Sequence, residues 1–291
     1  MVTMLSRGRR RPSASWLLLV PALALLAGVL LVPLFQSLIR SVGAPEFTLE
    51  HYAALFTDGV TLTILSRTAG TAAIVTAVAI LLGYPYAYLM TRVGPRLRAV
   101  LLVVVLIPFW TSVMARNFAW IVILQRGGPV QGVFEFFGVT NIVFQGSVVG
   151  VTIAMSQVLL PFMVLPLYSS LGAIDRRLLL AARGLGSSPL VAFWKIYWPL
   201  SRTGVVSGII LVFTLSLGFY VTPALLGSPQ QSLIAQLLAQ RTTQLLDFAG
   251  AGALGILVLV VTLVLVAWAN RLGGTISAIG VVSTSATKEQ S

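Results

Sequence analysis

Long uninterrupted apolar runs, separated by short polar breaks, set the pattern of this chain. A bilayer core of about 30 Å needs about 20 apolar residues of helix. Six runs reach that length, and each is expected to be a transmembrane helix: Trp16 to Ile39, Thr68 to Met90, Ala99 to Leu124, Val143 to Gly172, Pro199 to Leu226 and Phe248 to Trp268. The third contains Pro108 and Arg116, and the fourth contains Pro161 and Pro166. The first follows the basic tail "RGRRRPSAS". Its length, and the absence of a small-x-small cleavage pattern, predict a retained helix rather than a cleaved signal peptide.

The polar breaks differ in charge, and the difference alternates. Arg7, Arg9, Arg10 and Arg11 precede the first run; Arg92, Arg96 and Arg98 follow the second. Arg176, Arg177, Arg183, Lys195 and Arg202 follow the fourth, and Arg271 and Lys288 follow the sixth. Fourteen of the 19 basic residues thus fall on one side, while the other breaks hold only Arg40, Arg67, Arg126 and Arg241. The positive-inside rule predicts that both termini are cytoplasmic, with Glu46, Glu50, Asp58, Glu135 and Asp247 outside. An even number of spans agrees.

Composition strengthens this reading. Only 9% of the 291 residues are charged and 57% are hydrophobic, against about 25% charged in soluble domains; mean hydropathy is +0.97. The net charge of +12 belongs to the alternating loops and does not call for a nucleic-acid partner. Cysteine is absent, which excludes disulfides and thiolate sites. The expected organisation is a cytoplasmic basic tail over 1–15, a six-helix domain over 16–270 and a cytoplasmic tail over 271–291. Two small-xxx-small pairs, "GSVVG" at Gly146–Gly150 and "GVVSG" at Gly204–Gly208, suit close helix packing.

One stretch breaks the apolar pattern: "RRLLLAARGLGSSPLVAFWKIYWPL", Arg176 to Leu200. Leu178 to Ala182 are good helix formers. Gly186 suits the left-handed residue that ends a helix, and Ser188 with Pro189 restarts one as N-cap and first helical residue. Two short helices meeting at a Gly-Ser turn are predicted, with Leu190, Phe193 and Trp194 on the apolar surface of the second and Pro199 opening the fifth span. Such a hairpin either lies on the anionic cytoplasmic leaflet or docks into a soluble partner.

The segment resembles the cytoplasmic signature of binding-protein-dependent ABC importer permeases. That signature is Glu-Ala-Ala, three residues, Gly, nine residues, Ile, one residue, Leu-Pro. Ala181, Ala182, Gly186, Ile196 and Pro199 stand at the required spacing; Leu180 stands where the family has Glu, and Trp198 where it has Leu. The resemblance implies a coupling helix that docks in a groove of an ATPase subunit, with one polar contact missing at Leu180. "IPFWTSVMARNFAWIVIL", Ile107 to Leu124, followed by "GGPVQGVFEFFG", is similar to the first permease of spermidine/putrescine-type importers and their opine and aminoalkylphosphonate relatives. The implied fold is the all-α type I (MetI-like) architecture. The implied partners are a second homologous permease, ABC ATPase subunits, an extracytoplasmic solute-binding protein and the lipid bilayer, in a bacterial inner membrane.

Polar residues inside the runs are candidates for a solute pathway. Arg116 either faces a cavity with Asn117 or snorkels to the outer surface. Trp110 and Trp120 offer cation–π faces to a cationic solute, or belong to the interfacial belt. Gln157 and Tyr220 are further candidates. No Asp or Glu lies near the middle of a run, so selectivity is expected to reside mainly on the binding protein.

Catalytic chemistry is not expected. There is no phosphate-binding G-x-x-x-x-G-K-[ST] loop, and the only lysines are Lys195 and Lys288. The single His51 suggests no metal site, and neither a cofactor nor a catalytic residue is expected. The competing transport class is an ion- or proton-coupled secondary transporter, which would want a membrane acid or an inverted repeat. A membrane-embedded enzyme would want a catalytic cluster.

Overall fold

The computed structural model describes residues 15–43, 47–138 and 143–273. Most of both tails therefore lies outside the described residues, including Arg7 to Arg11, Lys288 and all but the first three residues of the C-terminal tail. The architecture is all-α, with no strand among the described residues. The helices are α1 (Ser15–Ser41), α2 (Glu50–Thr57), α3 (Gly59–Arg92), α4 (Pro95–Trp110), α5 (Val113–Leu124), α6 (Pro129–Phe136) and α7 (Val148–Gly172). They continue with α8 (Arg176–Gly184), α9 (Pro189–Ala192), a π-helical turn (Phe193–Tyr197), α10 (Trp198–Leu217), α11 (Val221–Leu226), α12 (Ile234–Thr243) and α13 (Phe248–Gly273).

Among the described residues, five helices are long and apolar enough to cross a bilayer, and the bent pair starting at Pro95 makes a sixth if it forms one span. The expected third span is thus not one helix. Its axis turns by 100° between Pro95–Trp110 and Val113–Phe136. Thr111 at the break has extended backbone, Ser112 after it has φ −57 and ψ 134, and Pro108 sits in the last turn of α4. The fourth span begins later than expected, at Val148, where the Ser147 hydroxyl accepts from the Gly150 N–H at 3.2 Å. The fifth starts earlier and ends sooner than expected. It stops at Gly218, and α11 is a separate short helix.

Local signals explain where the helices start. Asp58 caps α3 by accepting from the N–H groups of Val60 and Thr61 at 3.0 and 3.2 Å, which satisfies donors that have no partner within the helix. Pro95 opens α4, where its missing N–H costs nothing.

The centre of the bundle is α3, α7 and α10, which pack on one another, while α1 packs on α13 at the periphery. In lipid, helices associate through close van der Waals packing rather than water exclusion, so small residues matter at the contacts. Met163 of α7 is fully buried at the junction. A Cβ added at Gly83 would lie 2.9 Å from its Cγ, and one at Gly208 would collide with its sulfur. At Gly204 the same construction meets Ser170 Cβ at 2.5 Å and the Pro166 carbonyl at 2.9 Å. The "GVVSG" pair is therefore a helix-approach site. The "GSVVG" pair is not, because Gly146 is a turn residue at φ +73 and Gly150 abuts the Phe144 carbonyl of its own preceding loop.

A smaller core joins Leu55, Ile64, Ile234, Ala253 and Leu254 from α2, α3, α12 and α13. Beside it, Gly252 lets α13 approach the Ser37 carbonyl of α1, where a Cβ would lie 2.8 Å away. The Ser41 and Tyr52 hydroxyls share a 2.7 Å hydrogen bond there.

Candidate functional site

The broken basic segment folds as a helix, a turn and a second helix, as its residues predict. α8 ends at Gly184, and Gly186 in the turn beyond it takes φ +82. The Ser187 N–H donates to the Ala182 carbonyl at 3.0 Å, and the Leu185 N–H to that of Ala181 at 3.0 Å. This is the bonding that closes a helix through a left-handed glycine. At the other side of the turn, the Ser188 hydroxyl accepts from the Val191 N–H at 3.3 Å, and Pro189 is the first residue of α9. Asp175 caps α8, its carboxylate accepting from the Arg177 N–H at 2.9 Å.

The second helix is not separate from the fifth span. It runs through the π-helical turn into α10, and Pro199 is the second residue of that helix rather than its boundary. Pro199 has no N–H, and its ring crowds the carbonyl four residues back. The π turn absorbs this, with the Trp198 N–H donating to the Phe193 carbonyl five residues back. Such insertions are a recognised cause of an altered helix path.

Ala181, Gly186, Ser188 and Pro199 are exposed along this turn and helix, and Ala182 and Ile196 are half-buried. Leu180 lies within α8. At the tip, Leu185 is 89% exposed, and Leu190 and Trp194 are also exposed. The root of the segment is held by an aromatic cluster that the residue spacing did not announce. Tyr84 of α3 meets Phe193 and Trp198 with ring centroids 6.1 and 5.6 Å apart, and Tyr88 meets Tyr197 at 5.3 Å. The Tyr84 hydroxyl is 3.0 Å from the Ser201 hydroxyl. Two sequence signals were available: Phe193/Tyr197 and Trp194/Trp198 at helical spacing, opposite a Tyr84–Tyr86–Tyr88 run.

The pathway candidates divide. Trp120 of α5 donates its indole N–H to Gln157 of α7 at 3.5 Å. Asn117, one turn away, is buried, and its amide donates to the Val113 carbonyl at 2.8 Å. Arg116 turns back on the break, donating to the Thr111 carbonyl at 3.0 Å, to its hydroxyl at 3.1 Å and to the Pro108 carbonyl. It thereby satisfies carbonyls exposed where α4 ends. Trp110 ends α4 and is 87% exposed, and Tyr220 precedes α11 and is also exposed. Among the described residues, no hydrogen bond or ring contact joins either of them to the Trp120–Gln157 pair.

At the opposite end of the bundle from the basic segment, Arg241 bridges two acids. Its guanidinium lies 4.0 Å from Asp58 and 3.9 Å from Asp247, and it donates to the Thr61 hydroxyl at 3.1 Å. The Thr61 hydroxyl donates to Asp58 at 2.6 Å. That bond first, then the Val60 N–H, holds the Asp58 carboxyl below the ordinary carboxylate range. The clasp ties the start of α3 to the end of α12 and the start of α13.

A bundle of apolar spans with a structured, exposed hairpin between two of them defines a polytopic membrane protein. Residues 79–276 match the binding-protein-dependent transport system inner membrane component family, and the chain belongs to that family of ABC importer permeases. The spermidine/putrescine transport system permease protein PotB of Haemophilus influenzae is 31% identical over 230 residues, covering 77% of this chain and 80% of the relative. The PotB protein of Escherichia coli is 32% identical over 233 residues, covering 78% and 84%. The fold is shared with a bacterial alginate ABC transporter solved in complex with an alginate pentasaccharide-bound periplasmic protein. That likeness has a TM-score of 0.71 at 18% identity and covers 90% of this chain and 95% of the other.

Proposed function

We propose that this chain forms half of the solute pathway of an ATP-driven importer, paired with a second, homologous permease. A solute-binding protein delivers a small amine-bearing solute, of which a polyamine such as spermidine or putrescine is the leading case, to the outer loops. Two separate ATPase subunits drive the cycle from the cytoplasm. The named polyamine permeases that share about a third of its residues over most of the chain support the solute class.

The observation that carries the reading is the hairpin α8–α9, whose exposed Leu185, Leu190 and Trp194 stand at the end of the bundle rich in arginine. Such an apolar tip with basic flanks suits a groove on a soluble subunit. When the ATPase dimer closes, the hairpin moves as a rigid body. The continuous helix through the π turn carries that motion into α10, and the aromatic cluster carries it into α3. This orientation sets both termini in the cytoplasm. Within the pathway, Trp120 and Gln157 are the pair placed to meet a cationic solute, whereas Arg116 serves the break between α4 and α5.

Reconstitution tests the proposal. The chain is purified with its partner subunits and placed in vesicles, and uptake of labelled spermidine is measured with and without ATP. ATP-dependent uptake that requires the binding protein is expected. Uptake by this chain alone, driven by a proton gradient, would overturn the proposal and favour a secondary transporter.

A further inference from the structure

A cavity of about 160 Å³ opens where α3 ends, α4 begins and α7 ends. Arg92 and Arg98 line it together with Tyr168, Gly172, Ile174 and Tyr197, and among the described residues no carboxylate lines it. Among the described residues neither arginine forms a salt bridge. Arg92 lies over the Tyr88 ring, 4.9 Å from its centroid. Arg98 is anchored by donating to the carbonyls of Met90 and Val93, each at 3.2 Å. The cavity therefore gathers two guanidinium side chains and two tyrosines at the level where the apolar spans α3 and α7 give way to polar chain.

We infer that this cavity is a binding site for phosphoryl oxygens, supplied by an anionic lipid headgroup or by free phosphate. Guanidinium groups match phosphate geometry and pair with it strongly. Basic pockets between spans on the cytoplasmic side hold anionic headgroups. The site's position gives it a consequence for transport. Ile174 and Tyr197 are the two roots of the α8–α9 hairpin, so an anion bound here braces both roots against the α3–α4 corner. Occupancy is expected to raise ATPase-coupled uptake by stiffening that joint. This consequence rests on the importer reading, whereas the binding site itself does not.

The test uses the full chain with its partner subunits in detergent. Retention of phosphatidylglycerol is read by native mass spectrometry, with and without millimolar inorganic phosphate. Arg92→Gln is expected to weaken retention about tenfold, the loss of one charge-assisted contact. Arg96→Gln, which removes a charge in the first turn of α4 that does not line the cavity, is expected to leave retention unchanged. Tyr168→Phe, which removes a hydroxyl and no charge, gives a second reading should Arg92→Gln fail to fold. Lipid retained against phosphate identifies the headgroup as the source, and displacement by phosphate identifies the free anion. Equal retention by Arg92→Gln, Tyr168→Phe and the wild type overturns the site. Because retention is read without ATP or uptake, its failure is separable from failure of the importer reading.

Discussion

The guanidinium of Arg116 donates to the backbone carbonyl of Thr111 at 3.0 Å, pinning α5 to the break that separates it from α4. A charged side chain in an apolar span is expensive unless its donors are matched. Here the carbonyls left unpaired by the break match them. Charge and break are thus one device. Replacing Arg116 with Gln is expected to destabilise the fold by about 1.5–3 kcal/mol, the range for hydrogen bonds to a charged group. Lys should restore only part of this, since an ammonium lacks the planar fork. Thermal unfolding in detergent checks the order wild type, Lys, Gln.

The α7–α10 contact makes a second prediction. Gly204→Val places a side chain against Ser170 and the Pro166 carbonyl, and backbone does not yield as a flexible side chain does. A loss of about 1–3 kcal/mol is expected from overpacking. Gly70→Ala in α3, where nothing lies within 4 Å, should stay within about 0.5 kcal/mol. Equal behaviour of the two variants would contradict the close approach.

The hairpin turn predicts a split between two substitutions at Gly186. A Cβ there would meet nothing within 4 Å, so the demand is on backbone at φ +82 alone. Asn tolerates that region and Val does not. Gly186→Val is expected to abolish co-purification of the ATPase subunit while membrane insertion is retained, and Gly186→Asn to keep much of both. Pull-down from membranes reads the difference.

The Arg241 clasp predicts an acid dependence. The Asp58 carboxyl is lowered from 3.8 chiefly by the Thr61 hydroxyl and the Val60 N–H. A depressed folded value means that the contribution is fully present above the unfolded value and is lost as pH falls through the lower folded one. Stability of the α3–α12–α13 corner should therefore decline below about pH 4. Asp58→Asn should flatten that decline in thermal melts taken across the acid range.

Particular residues show how much was legible. Ala181, Gly186, Ser188 and Pro189 prescribed a helix stop, a left-handed turn and a restart, and the backbone adopts them because each acts within a few bonds of itself. Pro199 misled, since a proline reads as a boundary unless a π turn upstream absorbs it. Arg116 stayed ambiguous because its partners, Thr111 at the break and Pro108 in the last turn of α4, come within reach only through a bend whose angle the residue pattern does not encode. Trp120 and Gln157 were both singled out, yet only packing of α5 on α7 joins them, while Trp110 and Tyr220 stay apart from the pair.

By itself the sequence determined the spans, the asymmetry of charge between their ends and the turn chemistry of the hairpin. In lipid each backbone group must be satisfied within its own helix, so local apolar length decides where helices form. Tertiary structure alone decided the 100° break, the seat of Met163 between Gly83 and Gly208, the aromatic root of the hairpin and the cavity between Arg92 and Arg98. Those features depend on which faces meet across distant parts of the chain, and helix faces that are apolar all round carry no mark of their partner.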